Sequence, residues 1–208
     1  MSRFSFDDLF DQPEKPENKN YPLVFDDDQE PVRIICPTLQ GPFIAGGACL
    51  QWFQDKPVGW SDIDIFCVDR HQFNELRQRL YTQSSCQEKY NTENATTLTF
   101  ISKKNKMRNW TIQIISKRYY DSLEDLVNSF DISVCQIGTD GTNWVMGEHT
   151  ASDIRNKVLR MNYPLQPQAA KRLVKYCAYG YRPVDGLIEN IKQNDISAWK
   201  FTAQEEYE

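Results

Sequence analysis

Two aspartates, Asp62 and Asp64, have the residue type and the spacing that suit metal chemistry. They lie in segment 61–68, SDIDIFCV, which alternates polar and apolar residues with the period of a β-strand. In such a strand both carboxylates project from one face while the apolar residues pack on the other. Carboxylates held this close repel each other, and Mg²⁺ relieves the repulsion by binding one or two of them with water and substrate phosphates. The alternative is a solvated edge strand, which the poor strand propensity of aspartate disfavours.

A glycine pair precedes this strand and is placed to hold phosphate. Phe43–Ala45 is short and apolar and runs into Gly46 and Gly47, which predicts a buried strand followed by a turn that residues without a Cβ make easily. A brief amphipathic helix over 48–53 should follow. Its unpaired first amide groups and its dipole favour a triphosphate. An ordinary tight turn between a strand and a helix is the alternative.

A glycine pair at a strand end, a helix, and Asp-x-Asp on the next strand together resemble the DNA polymerase β-like nucleotidyltransferase superfamily. CCA-adding enzymes, poly(A) polymerases and small antibiotic nucleotidyltransferases share this pattern. The resemblance covers about 42–138, because segments 110–118 (WTIQIISKR) and 130–135 (FDISVC) are similar to later segments of the same group.

The resemblance implies a function and a set of site residues. In the nucleotidyltransferase superfamily the glycines hold a triphosphate and the aspartates hold Mg²⁺. The resemblance therefore implies these roles for Gly46, Gly47, Asp62 and Asp64. The implied activity is Mg²⁺-dependent transfer of a nucleotidyl group from a nucleoside triphosphate to a hydroxyl, with an RNA 3′ end ranked before a protein side chain. The predicted nucleotide-binding residues are Gly46, Gly47, Ser61, Arg118 and Lys175.

The third acid of the site is the point on which activity depends. Related enzymes often carry a carboxylate on the strand that here contains Gln113, whose amide cannot act as a general base and is a poor Mg²⁺ ligand. Asp131 is the available substitute, and as a catalytic residue it would face Asp62 and Asp64. The alternative is a structural aspartate bonded to nearby backbone amides. Without a third acid, the domain would be a non-catalytic binding or inhibitory module, which is the second functional hypothesis.

The net charge of −5 conceals a basic central part of the chain. Residues 1–30 contain nine acids and three bases, whereas residues 31–184 contain nineteen bases and fourteen acids. Segments 94–120 and 154–184 contain no acid at all. Such runs suit a polyanion, either a triphosphate or an RNA backbone, and the helix carrying Lys171–Lys175 is a candidate to neutralise it. For the lysine-rich turn at 103–108, an exposed hairpin loop without a binding role is an equal alternative.

The composition indicates a soluble, intracellular protein, which we expect to be cytoplasmic. Six cysteines without a C-x-x-C pair suggest reduced thiols, and two histidines argue against a zinc site. No long apolar run or signal peptide is present, so no membrane association is predicted. The first thirty residues, rich in proline and charge, should be disordered. Within them, segment 4–11 (FSFDDLFD) is a candidate to bind a protein partner or the basic core, with a chance cluster as the default.

The remaining patterns predict an α+β or α/β protein with a mixed sheet flanked by helices. They indicate a helix at about 71–81, a hairpin of strands 97–101 and 110–115, and a helix capped by Ser122. A strand to about Gly138 and a short strand over 144–146 should follow, and then helices only. The predicted organisation is a tail at 1–30, a nucleotidyltransferase core at 31–150, a small helical segment at 151–199 and an acidic tail at 200–208.

Overall fold

A computed structural model describes residues 30–35, 37–54, 62–102, 109–162, 165 and 168–193. Several sequence predictions fall outside these residues. They are the N-terminal tail with its segment 4–11, Ser61, the lysine-rich turn at 103–108 and the acidic tail at 200–208.

A seven-stranded mixed sheet forms the centre of the protein, in the order β3-β4-β5-β2-β1-β6-β7. The pair β2 and β5 is parallel, and the other five neighbouring pairs are antiparallel. The predicted α+β class with a mixed sheet is therefore confirmed. The strands are β1 (Phe43–Ala45), β2 (Ile63–Phe66), β3 (Cys86–Asn91), β4 (Ala95–Ile101), β5 (Asn109–Ile115), β6 (Ile137–Thr139) and β7 (Trp144–Met146).

Helices precede, connect and follow the strands of this sheet in the chain. They are α1 (Glu30–Ile35), α2 (Gly47–Phe53), α3 (Arg70–Tyr81), α4 (Leu123–Asn128), α5 (Thr150–Asn156), α6 (Ala169–Ala178) and α7 (Leu187–Gln193). The predicted cap of α4 is present, because the Ser122 hydroxyl accepts a hydrogen bond from the Asp125 amide at 3.1 Å. Among the described residues, no helix has the length and apolarity needed to cross a membrane.

The strand β1 is buried on both faces, and this places the two core clusters on opposite sides of the sheet. Ile44 belongs to the larger cluster, which includes buried residues of α2 and α3, whereas Phe43 and Ala45 pack with buried residues of α4. In β2, Ile63 and Ile65 belong to the larger cluster. The alternate positions of β2 therefore face the other side of the sheet, as the period of two predicts.

Two sequence predictions are corrected by the fold. Ser133–Cys135 forms a 3₁₀ helix, whereas the sequence predicts a continuous strand there. Hydrogen bonds to α5 and to the segment after it explain the difference, since the Ser133 hydroxyl donates to Asp153 at 2.6 Å and the Ser133 amide to the Arg160 carbonyl at 3.0 Å. Tertiary contacts thus override the strand pattern of this segment.

The second correction concerns the C-terminal part, which is not helical throughout. Two short strands, β8 (Val158–Leu159) and β9 (Arg182–Pro183), pair in parallel on either side of α6. Lys157 ends α5 in the left-handed conformation with φ 56°, and its carbonyl accepts a hydrogen bond from the Arg182 amide at 2.7 Å. This pairing ties the two ends of the α6 segment together.

Candidate active site

A cavity of about 340 Å³ brings acidic and basic side chains together. Three carboxylates line it, and we call them the acidic wall: Asp62, Asp64 and Asp131. Three bases of α6 also line it, and we call them the basic face: Lys171, Arg172 and Lys175. The volume lies in the range of small-molecule sites. The cavity therefore combines groups that attract cations with groups that attract anions.

The strand β2 holds Asp64 at the middle of the sheet. Its Cα pairs with Ala45 of β1 on one side and with Gln113 of β5 on the other. Burial of the carboxyl group, and after it the nearby charge of Asp62, raise the pKa of Asp64 to about 7, although the charges of Lys175 and Arg172 act in the opposite direction. At neutral pH without a ligand, the site therefore does not readily hold both carboxylates of this pair ionised.

The partner of Asp62 comes from the neighbouring strand. The side-chain amide of Gln113 donates a hydrogen bond to Asp62 Oδ2 at 2.9 Å. This contact follows from the parallel register of β2 and β5, which also pairs Asp64 with Gln113. The amide thus stabilises a charge that a carboxylate at the same position would repel.

Asp131 shares the cavity with the other two aspartates, and its environment is distinctive. Its Oδ1 accepts a hydrogen bond from Arg172 Nη1 at 2.5 Å, and its side chain is 10% exposed. Its Oδ2 is buried and has no hydrogen-bond partner among the described residues. A buried carboxylate oxygen without a donor is costly, so it is a natural position for a bound cation or for a proton donor on a substrate.

The two glycines have different positions in the structure: Gly46 lies close to Phe130, and Gly47 lines the cavity. Gly46 has φ 84°, and a Cβ there would lie 3.2 Å from the ring of Phe130. This glycine is therefore required by its backbone conformation and by the close approach of Phe130, whatever the ligand. Gly47 lines the cavity itself. Their predicted roles in phosphate binding remain predictions.

The predicted bases do not all reach the cavity. Lys175 lines it, whereas Arg118 is exposed beyond the end of β5 and lies outside the residues that line it. Arg172 and Lys171 also line the cavity, whereas the sequence predicts them only as part of a basic helix. The 3.6-residue period of α6 provides a signal for Tyr176, which lies one turn from Arg172 and also lines the cavity.

A buried thiol and phenol complete the wall of the cavity. Cys135 Sγ and Tyr176 Oη are 2.6 Å apart, and burial raises the pKa of Cys135 to about 11. Both groups are therefore neutral at physiological pH. The five cysteines among the described residues are free thiols.

The fit of a metal ion rests on the acidic wall. No group of three or more histidine, cysteine, aspartate or glutamate side chains within the described residues is arranged closely enough to hold a metal by itself. Mg²⁺ requires only one or two carboxylates when substrate phosphates and water complete its shell. The unpartnered Oδ2 of Asp131 and the repulsion between Asp62 and Asp64 are features that a cation would relieve. The residues present therefore fit Mg²⁺.

Comparison with solved structures supports the nucleotidyltransferase fold. A CCA-adding enzyme in complex with CTP superposes with a TM-score of 0.55 and 12% identity, over 82% of this chain and 43% of that one. The apo form of a tRNA-processing enzyme superposes with a TM-score of 0.52 and 17% identity, over 73% of this chain and 41% of that one. The chain thus spans less than half the length of these proteins, and at such identities the likeness concerns the fold.

Comparison by sequence identifies the family. No curated protein matches the chain. The model of the Gabija anti-defense 2 family matches residues 16–157, a stretch that includes the whole seven-stranded sheet and the acidic wall. This match extends over more than half of the chain. The chain belongs to the Gabija anti-defense 2 family, whose fold here is that of the nucleotidyltransferases.

Proposed function

We propose that the cavity binds a nucleoside triphosphate with Mg²⁺ and transfers a nucleotidyl group to a hydroxyl. The observation that carries this proposal is the meeting of the acidic wall and the basic face in one cavity of about 340 Å³. A triphosphate is a polyanion that the basic face would neutralise, and its complex with Mg²⁺ would be held by the carboxylates. The nucleotidyltransferase fold supports this assignment.

Each group has a defined task in the proposed reaction. Asp62 and Asp64 would hold Mg²⁺, which when bound neutralises the triphosphate and lowers the pKa of an attacking hydroxyl. Lys171 and Lys175 would bind and orient the phosphates. The acceptor oxygen forms a bond to the α-phosphorus, the α–β phosphoanhydride bond breaks, and pyrophosphate leaves. Asp131 Oδ2, which lacks a donor, would accept the hydroxyl proton.

The acceptor is proposed to be an RNA 3′ end, with a protein side-chain hydroxyl as the second candidate. The basic face favours RNA, because phosphate contacts supply most of the affinity for nucleic acid. The family description names an action against a defence system, Gabija. Modification of either acceptor would serve such an action.

The direct test is incubation of the full chain with each α-labelled nucleoside triphosphate and Mg²⁺. Total RNA is the acceptor in one series and a cellular protein extract in the other. Label in RNA that is removed by 3′ exonuclease supports the RNA acceptor, whereas label in protease-sensitive material supports the protein acceptor. Absence of label in both series, with all four nucleotides, contradicts the proposed transfer.

The basic face should control RNA affinity. Changing Lys171, Arg172 and Lys175 together to Ala is expected to weaken RNA binding at least tenfold, because phosphate contacts and their counter-ion release are lost. The slope of log affinity against log salt should decrease by about one unit for each lost phosphate contact. Binding is measured by fluorescence anisotropy of a labelled RNA at several salt concentrations.

The control for this variant removes the same charge elsewhere. Lys117, Arg155 and Lys192 are exposed and do not line the cavity. Their triple change to Ala should leave the salt slope nearly unchanged. Equal slopes for the two triple variants would move the preference to a protein acceptor.

Asp131→Asn should separate a catalytic from a structural role. The change keeps the shape of the side chain but removes the charge and the proton-accepting capacity, so transfer is expected to decrease by at least 100-fold. The ion pair with Arg172 is partly buried, since Arg172 is 44% exposed and Asp131 is 10% exposed, but the amide oxygen of asparagine can still accept the hydrogen bond from Arg172, so the expected loss of stability is about 1 kcal/mol. The melting temperature should therefore change by only a few degrees. A large loss of stability with near-normal activity per folded molecule would identify Asp131 as structural.

A second function, metal-independent binding without chemistry, has two specific observations in its favour. Gln113 donates a hydrogen bond to Asp62, and Arg172 pairs with Asp131, so both carboxylates have partners without a metal. Such a domain could act as an inhibitory module, as the family description allows. Triphosphate binding of equal strength in Mg²⁺ and in EDTA, measured by calorimetry, would favour this function over transfer.

A further inference from the structure

The positive charge of Arg172 can interact either with Asp131 or with a ligand in the cavity. It donates to Asp131 Oδ1 at 2.5 Å, and it also lines the cavity in which the triphosphate is proposed to bind. Its side chain is 44% exposed, so it can turn toward a ligand without leaving a buried site, whereas Asp131 is 10% exposed and is held by the fold. Arginine also binds carboxylate and phosphate with the same planar fork.

Asp131 is only half satisfied by this pairing. One oxygen accepts from Arg172, while Oδ2 is buried and lacks a hydrogen-bond partner in the described part of the chain. The charge of Arg172 also reaches Asp64, whose pKa it lowers. The guanidinium of Arg172 therefore interacts electrostatically with two of the three carboxylates of the acidic wall. Its position affects the negative electrostatic potential of that wall.

We infer that Arg172 is a transferable counter-ion: it pairs with Asp131 Oδ1 when the cavity is empty and moves to the triphosphate when nucleotide binds. This movement frees Oδ1 for a divalent cation and leaves Oδ2 as the proposed proton acceptor. This inference rests on the proposed nucleotide site. The triphosphate and Asp131 compete for the guanidinium of Arg172. Likewise, the divalent cation and Arg172 compete for the carboxylate of Asp131. Nucleotide binding and cation binding are thereby coupled through the cavity wall, in addition to their direct contact with each other.

The first experiment measures Mn²⁺ affinity of the nucleotide-free protein by electron paramagnetic resonance. Arg172→Gln removes the competitor for Asp131 and should raise the affinity about tenfold. Lys175→Gln removes the same charge from the same cavity but not the pairing with Asp131, and it should raise the affinity less, about two- to threefold. In an Asp131→Asn background, the two changes should have equal effects, because only the field of the lost cation remains.

The second experiment measures the reciprocal effect with inorganic tripolyphosphate and metal-free protein. Asp131→Asn releases Arg172 and should raise the affinity for tripolyphosphate about tenfold by calorimetry. In an Arg172→Gln background this gain should fall to about the size of the gain from Asp62→Asn, because only the field of the lost carboxylate remains. The gain from Asp62→Asn, which removes an equal charge from the same cavity, should persist there. If the effects of Arg172→Gln and Asp131→Asn simply add in both experiments, the transferable counter-ion does not exist.

A third measurement needs no variant of Asp131. The side-chain Nε–H resonance of Arg172, assigned by its loss in Arg172→Gln, should shift when tripolyphosphate is added to the metal-free wild-type protein. An unchanged resonance at saturating tripolyphosphate overturns the inference. These outcomes are independent of the activity assay: coupling without any transfer leaves the inference intact and defeats the proposed enzyme, whereas transfer with additive effects does the opposite.

Discussion

Asp64→Asn is expected to reduce nucleotidyl transfer by at least a thousandfold while leaving the protein folded. The change keeps the size of the side chain in β2 and removes the charge that would hold Mg²⁺ at the centre of the acidic wall. Metal ions in phosphoryl-transfer sites supply several kcal/mol of transition-state stabilisation, and each 1.4 kcal/mol corresponds to about tenfold in rate. The measurement is initial rate under single-turnover conditions, with folding checked by circular dichroism.

The matched control for this variant is Asp121→Asn. Asp121 is exposed and does not line the cavity, so the same chemical change there should leave the rate unchanged. Nucleotide binding provides a second readout, since Asp64→Asn should also lose the part of triphosphate affinity that depends on Mg²⁺. A variant with wild-type affinity in Mg²⁺ and wild-type rate would refute the assignment of Asp64 as a metal ligand.

The order of strand, glycine turn, helix and Asp-x-Asp strand could be predicted from the sequence because each step is local. The period of two across 61–68 predicts which face of β2 carries Asp64, and the structure buries Ile63 and Ile65 on the other face. Gly46 has the positive φ that a strand-to-helix turn of this kind requires. These features depend on residues within a few positions of one another.

The contacts that set the electrostatics of the cavity depend on distant parts of the chain. The hydrogen bond from Gln113 to Asp62 spans 51 positions and follows from a parallel register that no local pattern specifies. The pairing of Arg172 with Asp131 spans 41 positions and depends on how the α6 segment returns to the sheet. For this reason the sequence indicated a basic helix without distinguishing Arg172 from its neighbours.

Tertiary context also explains where local patterns were misleading. Segment 130–135 has the composition of a strand, yet Ser133–Cys135 forms a 3₁₀ turn. Two hydrogen bonds to α5 stabilise this turn: the Ser133 hydroxyl donates to Asp153, and the Thr150 hydroxyl donates to the Ser133 carbonyl. The same turn places Cys135 in the cavity wall, where its Sγ lies 2.6 Å from Tyr176 Oη. A pair of this kind has no signature in sequence.

The second large effect concerns stability and pH in the absence of metal. The folded protein holds the pKa of Asp64 at about 7, above the usual value of 3.8, mainly because the carboxyl group is buried and also because Asp62 is near. Between pH 4 and pH 7 the folded state therefore binds more protons at this site than the unfolded state. The free energy of unfolding should decrease as pH rises through this range, and the loss should be complete above pH 7.

Asp64→Asn removes this dependence, so its stability relative to wild type should change with pH. The difference in unfolding free energy between variant and wild type should shift in favour of the variant by about 2–3 kcal/mol from pH 4 to pH 8, after allowance for partial solvent screening. Urea unfolding in EDTA at several pH values measures this difference in unfolding free energy. Addition of Mg²⁺ at pH 8 should stabilise wild type more than Asp64→Asn, because a bound cation offsets the repulsion between the carboxylates. A difference that stays flat from pH 4 to pH 8 would show that the Asp64 carboxylate is well solvated or well paired, and that the acidic wall has no unmet demand for a cation.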